Sequence, residues 1–214
     1  MACSLLDPVR RRLGRYTLSD PAYAFLYAPA PPGEAVSLDC ETTGLDPLVD
    51  DIVSICAILI RGDRILTSQR LEMIVRPPQP VTRAGAVPIH RIRPRDAAAG
   101  VPIEDAVPRL LHYIGSRPLV GYYLKFDVAM LDKYVHPMLN VLLPNRRIEV
   151  SALYYDRTAR RQPGPAIDLS FAAIMRALDL PMRAAHDAFN DALMAAMMYL
   201  RLAAPLGAPR GARR

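Results

Sequence analysis

Tryptophan is absent from this chain, cysteine and lysine are scarce, and no long uncharged apolar run occurs. The three cysteines, Cys3, Cys40 and Cys56, show no Cys-x-x-Cys spacing. A disulfide framework or a zinc site is therefore not expected, and a reducing cytoplasmic compartment is favoured. The missing apolar run argues against a membrane span, and residues 1–6 lack the basic region of a signal peptide.

Arginine carries nearly all of the positive charge. Of 27 basic residues only Lys125 and Lys133 are lysine, and the formal net charge is +6. Arginine makes bidentate contacts with phosphate, so a polyanionic partner is one interpretation. A genome biased toward Arg, Ala and Pro codons explains the same composition equally well.

The 214 residues suit one domain with two additions. Residues 1–33 are predicted to form an N-terminal accessory segment that ends in the linker-like Ala28–Gly33. Residues 34–204 form the main domain. Residues 205–214, rich in Pro, Gly, Ala and Arg, are expected to be a flexible basic tail.

The periodicity of the main domain changes along the chain. Alternating or continuous apolar runs predict a meander of three strands: Ala35–Asp39, Ile52–Ile60 and Ile65–Val75. The stretch Pro77–Pro102 is predicted to be irregular. Helical and extended segments then alternate: a helix from Ile103, a strand at Leu119–Tyr123, a helix at Val128–Leu139, a strand at Arg147–Val150, and helices at Ser151–Arg160, Asp168–Leu178 and Ala188–Ala203. This order predicts a mixed α/β sheet.

Asp39 and Glu41 are two residues apart on the first predicted strand, so their side chains leave the same face. At about 4 Å and an effective dielectric near 20, two like charges repel by about 4 kcal/mol. A bound cation removes this cost, and oxygen ligands favour Mg²⁺ or Mn²⁺. Alone, such a pair is more often a solvated strand end.

Two further acidic positions are ambiguous on their own. Asp127 follows an apolar strand near the start of the next helix, where on its own a helix N-cap is a more typical role than catalysis. Asp187 and Asp191 share one face at the start of the last helix, directly after His186, and spacing does not decide which of them is a ligand. An unpaired Asp191 would be costly inside so apolar a helix.

Together these segments resemble the DnaQ-like 3′→5′ exonucleases with four acids and a histidine, which include the epsilon-type proofreading subunit of bacterial DNA polymerase III. The resemblance covers about Val36 to Leu202. Its first motif stands as Asp39-Cys-Glu-Thr-Thr-Gly-Leu45, its second as Phe126-Asp127, and its third as His186-Asp-Ala-Phe-Asn-Asp191-Ala192. The element Val-His-Gly-Ile has a partial counterpart in Ile89-His90-Arg91-Ile92.

The resemblance implies a ribonuclease H-like α/β fold, with a mixed five-stranded sheet flanked by helices on both faces. It also implies a 3′→5′ exonuclease in which four acids hold two divalent cations, Mg²⁺ or Mn²⁺. The implied ligands are Asp39, Glu41, Asp127 and Asp191. Glu41 and His186 are the implied catalytic residues, with His186 as general base because its ordinary pKa lies near neutrality.

By the same resemblance, Thr42, Gly44, Leu45 and His90 are expected to bind the terminal nucleotide. The expected partner is a nucleic-acid 3′ end, DNA in preference to RNA. The chain departs from the family at Tyr122-Tyr123-Leu124-Lys125, where His-Asn-Ala-x is usual, and at Glu149-Val150, where Asp-Thr is usual. If Tyr122 and Tyr123 alternate across a strand, at most one of them faces the cleft.

Three rival functions remain open. An exoribonuclease acting on short RNA has the same motifs, and so does a proofreading subunit with a polymerase or repair partner. Because the chain ends soon after the third motif, a stand-alone exonuclease is expected over a replicative subunit. A catalytically silent nucleic-acid-binding module is disfavoured because all five chemical positions are present.

Overall fold

The computed structural model describes residues 14–78, 92–160, 166–184 and 186–203. Its centre is a six-stranded sheet, with β1 at Glu34–Thr42, β2 at Ile52–Arg61, β3 at Arg64–Arg76, β4 at Val101–Pro102, β5 at Leu119–Gly121 and β6 at Arg147–Glu149. The strand order is β4-β3-β2-β1-β5-β6. Strand β2 is antiparallel to β1 and β3, whereas β5 is parallel to β1 and β6. The sheet is therefore mixed, as predicted.

The helices follow in chain order after a 3-10 helix at Pro21–Tyr27. They are α1 at Pro94–Ala98, α2 at Ile103–Ile114, α3 at Leu124–Leu139, α4 at Val150–Ala159, α5 at Phe171–Ala177 and α6 at Ala188–Ala203. Among the described residues, no helix is both long and apolar enough to cross a membrane.

Helices cover both faces of the sheet. Successive side chains of β1 point to opposite faces and pack against different helices. Val36 and Leu38 belong to the core cluster that contains the apolar residues of α2 and α3. Ala35 belongs to the opposite cluster, with Met194 and Met198 of α6. On that same face the Ser37 hydroxyl donates a hydrogen bond to the Ala192 carbonyl at 2.7 Å. The next residues on this face of β1 are Asp39 and Glu41.

The fold differs from the sequence prediction at the sheet edge. The stretch predicted to be irregular contains α1 and the two-residue strand β4, which pairs in parallel with the end of β3 and gives a sixth strand where five were expected. Gly100 permits this approach, because a Cβ at that position would lie 2.7 Å from the Ile74 carbonyl oxygen. Two-residue strands carry too little periodicity to be read from a sequence.

Two predicted helix starts were wrong. Helix α3 begins at Leu124 instead of Val128, which shortens the preceding strand to Leu119–Gly121. Helix α5 begins at Phe171 instead of Asp168, and ahead of it the Asp168 carboxylate accepts a hydrogen bond from the Ser170 backbone N–H. At the start of α3 the Glu149 carboxylate likewise accepts the backbone N–H groups of Tyr123 and Leu124.

Part of the predicted accessory segment packs against the domain. Leu26 is fully buried in the core cluster next to α2 and α3, and the Ser19 backbone N–H donates to the Leu139 carbonyl at the end of α3. Residues 1–13 and the predicted tail at 205–214 lie outside the described residues, so the domain boundaries stay a prediction.

Candidate active site

The candidate site begins at the carboxyl end of β1. Asp39 lies opposite Cys56 of β2, and Glu41 lies opposite Ser54, before the ladder shifts register between Glu41 and Thr42. Both carboxylates point to the α6 face and are partly buried. The carboxyl end of β1 is adjacent to that of the parallel strand β5, which is where α/β sheets place their ligands.

Helix α6 brings a third carboxylate to this strand end. Oxygen atoms of Asp39, Glu41 and Asp191 all lie within 4.8 Å of one another. The contact follows from the packing of α6 on β1, where the Ser37 hydroxyl bonds to the carbonyl of Ala192, the residue after Asp191. Three predicted ligands that are remote in the chain therefore converge. A donor set made only of carboxylate oxygens fits Mg²⁺ or Mn²⁺ and not a soft metal.

Asp191, and not Asp187, occupies this cluster. The Asp187 carboxylate accepts a hydrogen bond from the Asn190 backbone at 2.9 Å, which is the contact of a helix N-cap. Asp191 accepts a hydrogen bond from the His186 backbone N–H at 3.0 Å. The ambiguity that spacing left open is resolved by these two contacts.

Asp127 approaches the cluster from the other side of β1. It is the fourth residue of α3, is only 5% exposed, and accepts a hydrogen bond from the Cys40 backbone at 2.9 Å. Its carboxylate is not part of the three-residue group defined above. It is also not the N-cap of α3, because that position belongs to Tyr123.

Burial and mutual repulsion disfavour negative charge on all four carboxyls. Burial is the main cause for Asp39, whose pKa lies well above its usual range, and the charges of Asp127 and Asp191 add to it. Burial raises the pKa of Glu41 to about 7, with the charge of Asp191 adding to it. Burial also raises the pKa of Asp127 and of Asp191. A divalent cation bound among these carboxylates would offset both the cost of burying them and their mutual repulsion.

His186 lies on an exposed loop directly before α6. Its backbone has a φ of +62°, which is uncommon for a residue with a side chain. Its N–H is fixed to the Asp191 carboxylate, and its imidazole lies near enough for its charge to lower the pKa of Asp191. The predicted general base is therefore next to the predicted metal ligand, on a loop that leaves its ring accessible.

The predicted nucleotide-binding loop is built around a buried acid that the sequence reading missed. Asp50 is 5% exposed and accepts hydrogen bonds from the Thr43 hydroxyl and the Asp46 backbone. A Cβ at Gly44 would collide with this carboxylate, so the missing side chain makes room for Asp50. The Thr42 hydroxyl donates to the Gly44 carbonyl at 2.7 Å.

This loop leaves Leu45 at the surface, with 77% of the residue exposed. Thr42 is partly buried at the end of β1, next to Glu41. Gly44 and Leu45 lie in the loop that follows, and the binding role of Thr42, Gly44 and Leu45 stays a prediction. His90 lies outside the described residues.

The exonuclease family model RNase_T matches residues 36–199, which include every carboxylate of the cluster. The chain belongs to this exonuclease family. The resemblance inferred from the motifs is confirmed.

Curated relatives of this exonuclease domain include a polymerase and a ribonuclease. The PolC-type DNA polymerase III of Thermotoga maritima is 26% identical over 166 residues, which cover 78% of this chain and 12% of the polymerase. An oligoribonuclease of Leifsonia xyli is 26% identical over 137 residues, covering 55% of this chain and 62% of that protein. The chain thus spans about an eighth of the length of the polymerase that it matches.

Solved exonuclease and nuclease structures share the fold. Escherichia coli exonuclease I in complex with a dT13 oligonucleotide superimposes with a TM-score of 0.60 at 21% identity, covering 78% of this chain and 40% of that one. Cell-death related nuclease 4 superimposes with a TM-score of 0.67 at 16% identity, covering 80% and 64%. These neighbours confirm the ribonuclease H-like α/β architecture.

Glu149 is a further residue of the site region whose role the sequence did not reveal. Its carboxylate accepts the backbone N–H groups of Tyr123 and Leu124, at 3.1 and 2.9 Å, and the hydroxyl of Ser151 at 2.9 Å. One acid therefore caps the start of α3 and the start of α4. The signal available in the sequence was an acid at the end of a strand with a serine two residues later.

Proposed function

We propose that this domain is a metal-dependent 3′→5′ exonuclease that releases nucleoside monophosphates from nucleic-acid 3′ ends, with DNA preferred. The observation that carries the proposal is the convergence of Asp39, Glu41 and Asp191 within 4.8 Å, beside His186. Membership of the exonuclease family supports the same reaction.

Asp39, Glu41 and Asp191 would hold the cations directly, and Asp127 completes the set from the Cys40 side of β1. Two such cations, Mg²⁺ or Mn²⁺, supply charge stabilisation to the attacking and leaving oxygens of a phosphodiester. This position supports a catalytic role for Glu41, which would hold the cation beside the reacting phosphodiester.

His186 accepts the proton of the attacking water at its imidazole. His186 is exposed and its backbone N–H is bound to the Asp191 carboxylate, so a proton taken from water can pass on to solvent. An imidazole suits this role, because its ring nitrogen can accept a proton from water and later release it. Thr42, Gly44 and Leu45 hold the terminal nucleotide at the adjoining strand end.

The preference for DNA rests on the polymerase relative and on the oligonucleotide in exonuclease I. The oligoribonuclease relative favours a second candidate, an exoribonuclease that digests short RNA. A polymerase partner is the third option, because the PolC-type relative contains this domain as a minor part of its length. Co-purification of a stoichiometric polymerase would support a proofreading subunit.

The direct test is digestion of matched single-stranded DNA and RNA oligonucleotides that carry a 5′ label. Stepwise shortening in Mg²⁺, with none in EDTA, is the expected result, and DNA should be shortened faster. The Asp39→Asn variant should be inactive, whereas Asp63→Asn, in the exposed β2–β3 turn at the far end of the sheet, should match wild type. An Asp39→Asn protein with wild-type rates refutes the proposal.

A further inference from the structure

Tyr123 follows the carboxyl end of β5, the strand next to the one that carries Asp39 and Glu41. Strands β1 and β5 are parallel, with Ser37 opposite Val120, and a Cβ on Gly121 would lie 3.1 Å from the Leu38 carbonyl oxygen. Tyr123 therefore leaves β5 beside the point where β1 reaches Asp39. It is also one helical turn before Asp127.

The two tyrosines after β5 have opposite environments. Tyr122 is held in the fold, because its hydroxyl donates to the Leu169 carbonyl at 3.0 Å and its ring packs edge-on against Phe171. Tyr123 is 75% exposed. Neither residue belongs to the strand, so the separation arises from the turn and not from strand alternation.

The backbone of Tyr123 is fixed in an uncommon conformation. Its φ is +59° and ψ is 27°, the left-handed region that bulky residues rarely occupy. Glu149 holds it there by accepting the N–H groups of Tyr123 and Leu124. An exposed aromatic ring on a rigid, strained backbone has no packing role that compensates for the strain, and such residues concentrate at functional sites.

We infer that the Tyr123 ring is a stacking platform for an unpaired base of the bound nucleic-acid strand. The inference rests on the proposed exonuclease function and adds the substrate class: a strand whose bases near the 3′ end are unpaired. Every base has an apolar face, so stacking on an aromatic ring tolerates any sequence. A fully paired end would hide these faces, and the exposed Lys125 two residues later offers a cation for the adjacent phosphate.

The test compares Tyr123→Ala, Tyr123→Phe and Tyr123→Asn with Tyr16→Ala. Tyr16 is the matched control because it is 77% exposed and lies next to Thr17, whose carbonyl contacts Asn140 at the opposite end of α3. Each protein is assayed on a single-stranded DNA oligonucleotide and on the same oligonucleotide with abasic residues near the 3′ end.

Loss of the ring should raise KM on the normal strand by about 5-fold to 150-fold, the effect of removing one stacking aromatic. The abasic strand should show little change, and Tyr123→Phe and Tyr16→Ala should behave as wild type. Tyr123→Asn should raise KM while Tm is unchanged or higher, because asparagine tolerates the left-handed conformation. If Tyr123 had only a structural role, a raised KM would be accompanied by a lower Tm.

Binding without turnover separates this inference from the proposed function. A DNA strand with 2-aminopurine near its 3′ end is bound in EDTA, and its fluorescence should be quenched by wild type but not by Tyr123→Asn. If no protein digests any strand but the quenching difference is present, the exonuclease proposal fails and the stacking platform stands. Equal KM for Tyr123→Ala and Tyr16→Ala, or equal losses on normal and abasic strands, overturns the inference.

Discussion

Replacing Glu41 with glutamine tests the electrostatics of the carboxylate cluster in the metal-free protein. Burial and the charge of Asp191 raise the pKa of Glu41 from 4.5 to about 7. Between these two values the folded protein binds more protons than the unfolded chain, so stability falls as pH rises through this window and stays low above it. Without a cation, the domain should therefore be less stable at pH 8 than at pH 5.

The size of the effect follows from the two pKa values. The difference between 4.5 and about 7 corresponds to roughly 3 kcal/mol at 1.36 kcal/mol per pH unit. Glu41 is only partly buried, and solvent screening reduces the contribution to about 1–3 kcal/mol. For a domain of this size that is a change in Tm of about 2–12 °C.

The assay is thermal unfolding in EDTA at pH 5 and pH 8. Glu41→Gln should raise Tm at pH 8, leave it nearly unchanged at pH 5, and abolish exonuclease activity. Glu34→Gln is the matched control on the same strand, because hydrogen bonds and charge from Arg117 and Arg61 lower the pKa of Glu34. Its stabilisation is present at pH 8 and lost at low pH, so this variant should lower Tm at pH 8. A Glu41→Gln protein that is less stable than wild type at pH 8 in EDTA refutes the reasoning.

Three further predictions concern the remaining site residues. Asp191→Asn should abolish single-turnover digestion, whereas Asp187→Ala should lower the free energy of unfolding by about 0.5–2 kcal/mol through loss of the α6 cap and retain turnover. Equal losses of turnover in both variants would contradict the assignment. His186→Ala should lower kcat by about 10²–10⁴-fold with Mn²⁺ binding retained, and an unchanged kcat would contradict its role as general base. Glu149→Ala should lower the free energy of unfolding by about 2–4 kcal/mol in urea titrations, because several backbone N–H groups at two helix starts lose their acceptor; a change below about 0.5 kcal/mol would show that water replaces it.

Strands with a long hydrophobic run could be predicted from the sequence. The run at Ile52–Ile60 is buried along its whole length in the middle of the sheet, so continuous hydrophobicity was a sufficient signal. The short strand β4 and the start of α3 were not readable. They depend on Gly100 approaching β3 and on Glu149 accepting N–H groups more than 20 residues away, and such contacts leave no local period.

The site shows the same division. The motifs identified Asp39, Glu41 and Asp191 as candidate ligands. Their proximity in the structure arises from a strand and a helix that were both predicted. The choice between Asp187 and Asp191 depended on which carboxylate caps α6, which spacing alone does not decide. Asp50 was missed because the sequence does not distinguish a buried aspartate in a loop from a solvent-exposed one.

Binding of Mn²⁺ tests the central claim most directly, because it measures the cation that the clustered carboxylates are proposed to hold. Loss of the free Mn²⁺ paramagnetic resonance signal is followed as protein is added, at pH 8, for wild type, Asp39→Asn and Asp63→Asn. Wild type and Asp63→Asn should bind Mn²⁺ alike, while Asp39→Asn should lose at least one bound ion per chain. Unchanged Mn²⁺ binding by Asp39→Asn would contradict the account.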